Sequence, residues 1–164
     1  MTRSVFSATP TQAYLDTLLL YYEEEVEGEA YFKALADFAK QPDHRDKLNL
    51  LARVENHAAN ITLPLIRKYT LTPKDDVHLF QSGQEMARRD NKTWDDLLAN
   101  MARAFPGYVD DFLQLEAMAP QEDLPRLKLL TAHEVAAIAF LDLELSGAQD
   151  SVAPMNAYLK KDIR

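Results

Sequence analysis

Apolar residues recur along most of this chain at spacings of three and four, and strict alternation with period two is nearly absent. The pattern predicts helices throughout. Thr9-Pro10-Thr11-Gln12 offers a cap, a proline at the first helical position and a glutamine three residues after the cap, so a first helix, A, should run from there to about Lys40. Gln41-Pro42-Asp43 punctuates, and helix B follows from about Asp43 to Tyr69, with Pro64 expected to kink it. Residues 70–92 read as a long polar connection with a short helix around Val77–Arg88. Thr93-Trp94-Asp95-Asp96 can cap helix C, which Pro106-Gly107 should break or bend. After the punctuation from Pro120 to Pro125, helix D runs to Leu145, where Ser146-Gly147 is a stop. Residues 148–164 read as a tail with a short helical turn or two. Short links join A to B and C to D, and a long one joins B to C. That spacing predicts one all-α domain over residues 1–164: a four-helix up-down bundle at about 10–147, with residues 70–92 as its crossover.

Three glutamates interrupt the apolar stripes. Residues at i±3, i±4 and i±7 share a helix face. By that rule Glu55 falls among Leu48, Leu51, Ala52, Ala58, Ala59 and Thr62, and Glu134 among Leu127, Leu130, Thr131, Ala137, Ile138 and Leu141. Glu27 shares its face with Leu20, Tyr31 and Ala34, but also with Glu23 and Glu24. A carboxylate on a buried stripe is costly unless it is paired, protonated or bound to a metal. One on each of three helices suggests convergence. With the A–B turn centred near Gln41, Glu27 and Glu55 should lie at the same height and meet in the interior. On helix C, Glu116 has Val109, Phe112 and Leu113 on its stripe, and Asp110 and Asp111 stand nearer the height of Glu134.

Glu-Gly-Glu-Ala-Tyr-Phe (27–32), followed by Leu51-Ala52-Arg53-Val54-Glu55, resembles the first hairpin of the ferritin-like di-iron carboxylate proteins, in particular the rubrerythrin-like proteins and the aldehyde-deformylating oxygenases. The stretch that carries the resemblance is about Glu25 to Ala59. Members of that superfamily hold two metal ions with one Glu from each of two helices and a Glu-x-x-His from each of the other two. The resemblance implies a ferritin-like topology, Glu27 and Glu55 as ligands of the first half, and Glu134 as the Glu of the second Glu-x-x-His. Ala58 and Ala137 stand where the two histidines belong. His57 and His133 lie nearby, at +2 and −1 from their glutamates, roughly 200° and −100° around a regular helix. The metal-ligand candidates are therefore Glu27, Glu55, Glu134, Glu116, His57 and His133.

Composition narrows the chemistry. Eighteen basic and 26 acidic residues give a net charge of −8, which argues against nucleic acid and anionic membrane surfaces as partners. With no cysteine, thiolate metal sites and iron–sulfur clusters are excluded. No run approaches a membrane span, and Met1–Phe6 lacks the apolar stretch of a signal peptide, so a cytoplasmic location is expected. The sequons at Asn60 and Asn91 are then chance matches. A phosphate-binding loop, a Gly-x-Ser-x-Gly and a complete His-Glu-x-x-His are absent. Tyr21, Tyr22, Tyr31 and Trp94 read as packing residues, and His44 and His78 suggest no role. Two readings stay open. One is a carboxylate-bound Fe or Mn protein, an oxidoreductase or iron handler. The other is a scaffold that binds no metal, holds a small apolar ligand in the bundle, or assembles as a homo-oligomer.

Overall fold

The structure is a computed structural model describing residues 9–163; Met1–Phe6, discussed above, lie outside the described residues. Its helices are α1 (Gln12–Phe38), α2 (Pro42–Lys68), α3 (Asp76–Asp90), α4 (Trp94–Met118), α5 (Leu124–Leu145) and α6 (Ala153–Leu159), with one 3-10 turn at Gln121–Asp123. No strand occurs among the described residues. None of these helices is long and apolar enough to cross a membrane.

The helix ends follow from capping chemistry. Thr11, rather than Thr9, caps α1 by accepting from the Tyr14 amide at 3.1 Å. Thr93 caps α4 by accepting from the Asp96 amide. Gly147, at φ 75°, closes α5 with paired bonds from the Gly147 amide to the Glu144 carbonyl and from the Ala148 amide to that of Leu143. The expected break at Pro106-Gly107 does not occur, and α4 continues through it. Pro106, Gly107 and Tyr108 face solvent, on the side of the helix where a carbonyl that a proline leaves unbonded is open to water. Pro64 is likewise exposed inside α2.

Helices α1 and α2 form one hairpin and α4 and α5 a second. The hairpins meet mainly through α2 against α5, with a lighter contact of α1 against α4. Helix α3, in the long link, packs along α1, and α6 lies across α5 and α2. The tail is thus part of the core: Met155 and Tyr158 of α6 are fully buried.

The buried side chains form two apolar clusters. One gathers Phe32, Leu35, Leu48, Leu51, Phe105 and Phe140, with Met155 and Tyr158. The other gathers Tyr14, Leu18, Val26, Ile66, Phe112 and Leu130. Beyond the second cluster, Asp123 accepts from the hydroxyls of Tyr14 and Tyr69 at 2.7 and 2.6 Å and pairs with Lys68 at 2.7 Å, which ties α1, α2 and the start of α5. At the other end the ring of His44 stacks on Trp94 with centroids 4.1 Å apart and joins the starts of α2 and α4.

Gly83 sets how closely α3 approaches α1. A Cβ there would stand 2.3 Å from the Glu27 carbonyl oxygen and 2.9 Å from the Ala30 Cβ. Because the obstruction is backbone, Gly83→Ala must lift α3 away. The variant should lose about 1–3 kcal/mol in urea denaturation; an unchanged midpoint would contradict the close packing.

Candidate metal centre

Between the two apolar clusters lies a belt of buried ionisable side chains. Helix α1 supplies Glu25. Covered by α2, α3 and α4, this helix is buried over a wide arc that takes in Tyr22, Glu23, Glu25 and Val26. The α1–α2 loop spans residues 39–41 and is centred on Lys40, so Glu25 and Glu55 each stand fifteen residues from its middle. Glu55 rises from α2 on the stripe where its sequence neighbours put it, among the buried Leu48, Leu51, Ala52, Ala58, Ala59 and Thr62. Gly28 makes room for it: a Cβ at that position would lie 2.8 Å from Glu55 Oε2. Helix α5 contributes both His133 and Glu134. Packed by α2, α4 and α6, it too is buried on a broad face, so two consecutive residues about 100° apart both point inward.

Around His133 the geometry is close. Its ring is 0% exposed. Nδ1 is bonded to the Leu130 carbonyl, which can only accept, so Nδ1 carries a proton and donates. Nε2 is the ring atom that faces the belt. Nε2 lies 3.0 Å from Glu25 Oε2, 3.4 Å from Glu134 Oε2 and 3.8 Å from Glu55 Oε2. The 3.0 Å contact lacks the alignment of a hydrogen bond: His133 Nε2 and Glu25 Oε2, like Glu134 Oε1, are buried without a hydrogen-bond partner. One ring nitrogen and several carboxyl oxygens therefore face each other across a small gap, where a cation could sit. Ligand atoms of Glu25, Glu55 and His133 all lie within 4.8 Å of one another, a span that an ion with bonds of about 2.0–2.6 Å can bridge.

Burial governs the protonation of the belt. Desolvation pushes the Glu25 carboxyl up to about 8, the charges of Glu134 and Glu24 add to the rise, and a hydrogen bond with Glu55 opposes it. Glu134 also rises to about 8, by desolvation, with His133 lowering it and the charge of Glu55 raising it. Glu55 is driven well above the usual carboxylate range by burial, then by the charge of Glu25 and the hydrogen bond between the two. Without a cation, Glu25 and Glu55 thus hold a proton between them. Phe112 flanks His133, with ring centroids 5.4 Å apart, and Tyr158 lies on the α6 side at 6.2 Å.

Of the expected ligands, the structure brings Glu55, Glu134 and His133 together and places the others elsewhere. Glu27 lies two residues from the position that meets Glu55. It faces α3, where Ser82 donates to it at 2.9 Å, and Glu25 takes its place. Glu116 accepts from the Thr131 hydroxyl at 2.9 Å and is only half-buried. His57 turns to the tail and donates from Nε2 to the Lys161 carbonyl at 2.7 Å. His133 meets Glu25 and Glu55 from other helices and the adjacent Glu134 on its own, with α5 regular throughout. Glu25 did carry a sequence signal: Leu18, Tyr21, Tyr22 and Phe32 lie at helical spacing from it. No protein-family profile, curated protein or solved structure matches this chain.

The raised carboxyls fix the sign of the pH dependence. Between about 4.5 and about 8 the native, ion-free protein keeps protons on Glu25 and Glu134 that the unfolded chain has lost. Its stability should therefore fall as pH rises through that window. Urea denaturation of chelator-treated protein should show the decline, and Glu25→Gln should flatten it. A stability that holds level from pH 4.5 to 8 would speak against the buried carboxyls being protonated.

Proposed function

We propose that this chain is a ferritin-like bundle that binds one first-row metal ion, Fe or Mn, in its interior and works as an oxidoreductase or iron-handling protein. The observation that carries the reading is the ligand set Glu25, Glu55 and His133, whose ligand atoms lie within 4.8 Å of one another, with Glu25 Oε2 and His133 Nε2 buried and without a hydrogen bond. Buried polar atoms in native proteins are nearly always satisfied, and an ion is the partner that suits this donor set. One imidazole with carboxylates fits Fe or Mn better than the all-oxygen shells of Ca and Mg. Two helical hairpins with a helix-bearing link along one of them agree with the ferritin-like reading. Ala58 and Ala137, both fully buried, supply no imidazole where a second ion would need one, so the stoichiometry is one.

The chain's own residues prepare the site. The Leu130 carbonyl fixes the His133 tautomer and ring orientation. The apolar clusters on either side keep water out, and Gly28 lets the Glu55 carboxylate lie against α1. The ion, when bound, supplies Lewis acidity and, as iron, one-electron chemistry. The proton held between Glu25 and Glu55 favours a second reading, a scaffold in which the belt is neutral, no metal binds, and the bundle serves as a ligand-binding or structural module.

Calorimetric titration separates the two. Ion-free protein titrated anaerobically with Mn(II) or Fe(II) should bind one ion per chain. Glu55→Ala and His133→Ala should each weaken that binding by at least about tenfold. Glu27→Ala should leave it unchanged. Absence of binding, or binding indifferent to both site variants, would overturn the metal reading in favour of the scaffold.

A further inference from the structure

Among the described residues, only four buried side-chain atoms lack a hydrogen-bond partner: Glu25 Oε2, His133 Nε2, Glu134 Oε1 and the hydroxyl oxygen of Tyr158. Three belong to the belt already described. The fourth comes from α6, outside the two hairpins. Tyr158 is 1% exposed, and its ring lies 6.2 Å from that of His133 and 5.2 Å, edge to face, from that of His57. The tail is fastened at this place. His57 donates to the Lys161 carbonyl, and Met155 and Tyr158 are packed into the core beside Phe140 and Leu51. A phenol is amphipathic, and when buried its hydroxyl ordinarily finds a partner. Here the chain spends a helix to bury one against the belt and leaves its oxygen unbonded.

We propose that Tyr158 is a further ligand of the ion site: on binding of ferric iron its oxygen joins Glu25, Glu55 and His133 in the coordination shell as a phenolate. The inference rests on the metal-binding reading given above and adds the oxidation state of iron that the site prefers. Two carboxylates and one imidazole leave room in the shell of a six-coordinate ion. A phenolate is a hard, anionic oxygen donor, which suits a trivalent ion better than a divalent one. The step balances without redox change: the phenol O–H bond breaks, its proton leaves to solvent, and an O–Fe bond forms, while the iron arrives and remains ferric.

The test uses the full chain and ferric iron presented as its nitrilotriacetate complex, with unbound iron removed. Iron-loaded wild-type protein should absorb in the visible through phenolate-to-iron charge transfer, which carboxylate and imidazole ligands do not produce. Resonance Raman excitation into that band should return phenolate ring modes, a measurement needing no variant. Tyr158→Phe keeps the ring contacts with His57 and His133. It should retain iron but lose the band entirely, and Tyr108→Phe should retain both. Iron-loaded wild-type protein without the band, a band that survives Tyr158→Phe, or one lost in Tyr108→Phe would overturn the assignment. Protein that takes up neither ferric nor divalent ions would instead overturn the metal-binding reading on which it rests, a result that the wild-type uptake measurement gives by itself.

Discussion

A belt of buried charge divides the hydrophobic core. On one side lie Phe32, Leu48, Leu51, Phe105 and Phe140, and on the other Leu18, Val26, Ile66, Phe112 and Leu130. Between them three carboxyl groups and an imidazole occupy a region from which water is excluded. Three carboxylates at this spacing repel one another, and desolvation penalises each of them further. The chain has two ways to relieve the cost: hold protons, as the raised Glu25, Glu55 and Glu134 carboxyls do, or hold a cation. The apolar clusters above and below provide the burial that makes such a belt tolerable. Gly28, the Leu130 carbonyl and the broad burial of α1 and α5 are all arranged around it.

That dependence explains why parts of the site could be read from the sequence and parts could not. Helix positions were legible because capping and stop signals are local: Thr93 and Gly147 act within one turn of their own helices. Glu55 and Glu134 were legible because both interrupt strong apolar stripes. A turn centred on Gln41 pairs Glu55 with Glu27, whereas the loop is centred on Lys40 and pairs it with Glu25, because a shift of one in the loop moves the matched position by two in the helix. Helical stripes assume one buried face, yet α1 is covered on three sides, so Glu25 is buried on a face that the stripe through Glu27 does not include.

The angle between His133 and Glu134 around α5 does not decide whether they share a site, because α1 and α2 bring Glu25 and Glu55 to the same imidazole and the broad buried face of α5 admits both residues. Periodicity along one helix carries no information about which residues other helices present. The same limit hid the burial of α6, though not the short helical turns of the tail. Ala153–Leu159 is too short to show a period, and its burial depends on a surface made by α2 and α5. Pro106 misled for a different reason: a proline disrupts a helix through an unsatisfied carbonyl, and on the solvent-facing side of α4 that carbonyl is not left dry.

The separation of the belt's residues along the chain bears on biosynthesis. Glu25 and Glu55 emerge in the first hairpin, but His133 and Glu134 are made only after some eighty further residues, and Tyr158 later still. A nascent first hairpin therefore presents Glu25 and Glu55 without the imidazole of His133 that faces them in the folded chain. Contacts so distant in sequence form late, since loop closure must precede them. The belt is thereby completed only when the two halves have docked, so its carboxyl groups stay open to solvent for as long as the chain is incomplete.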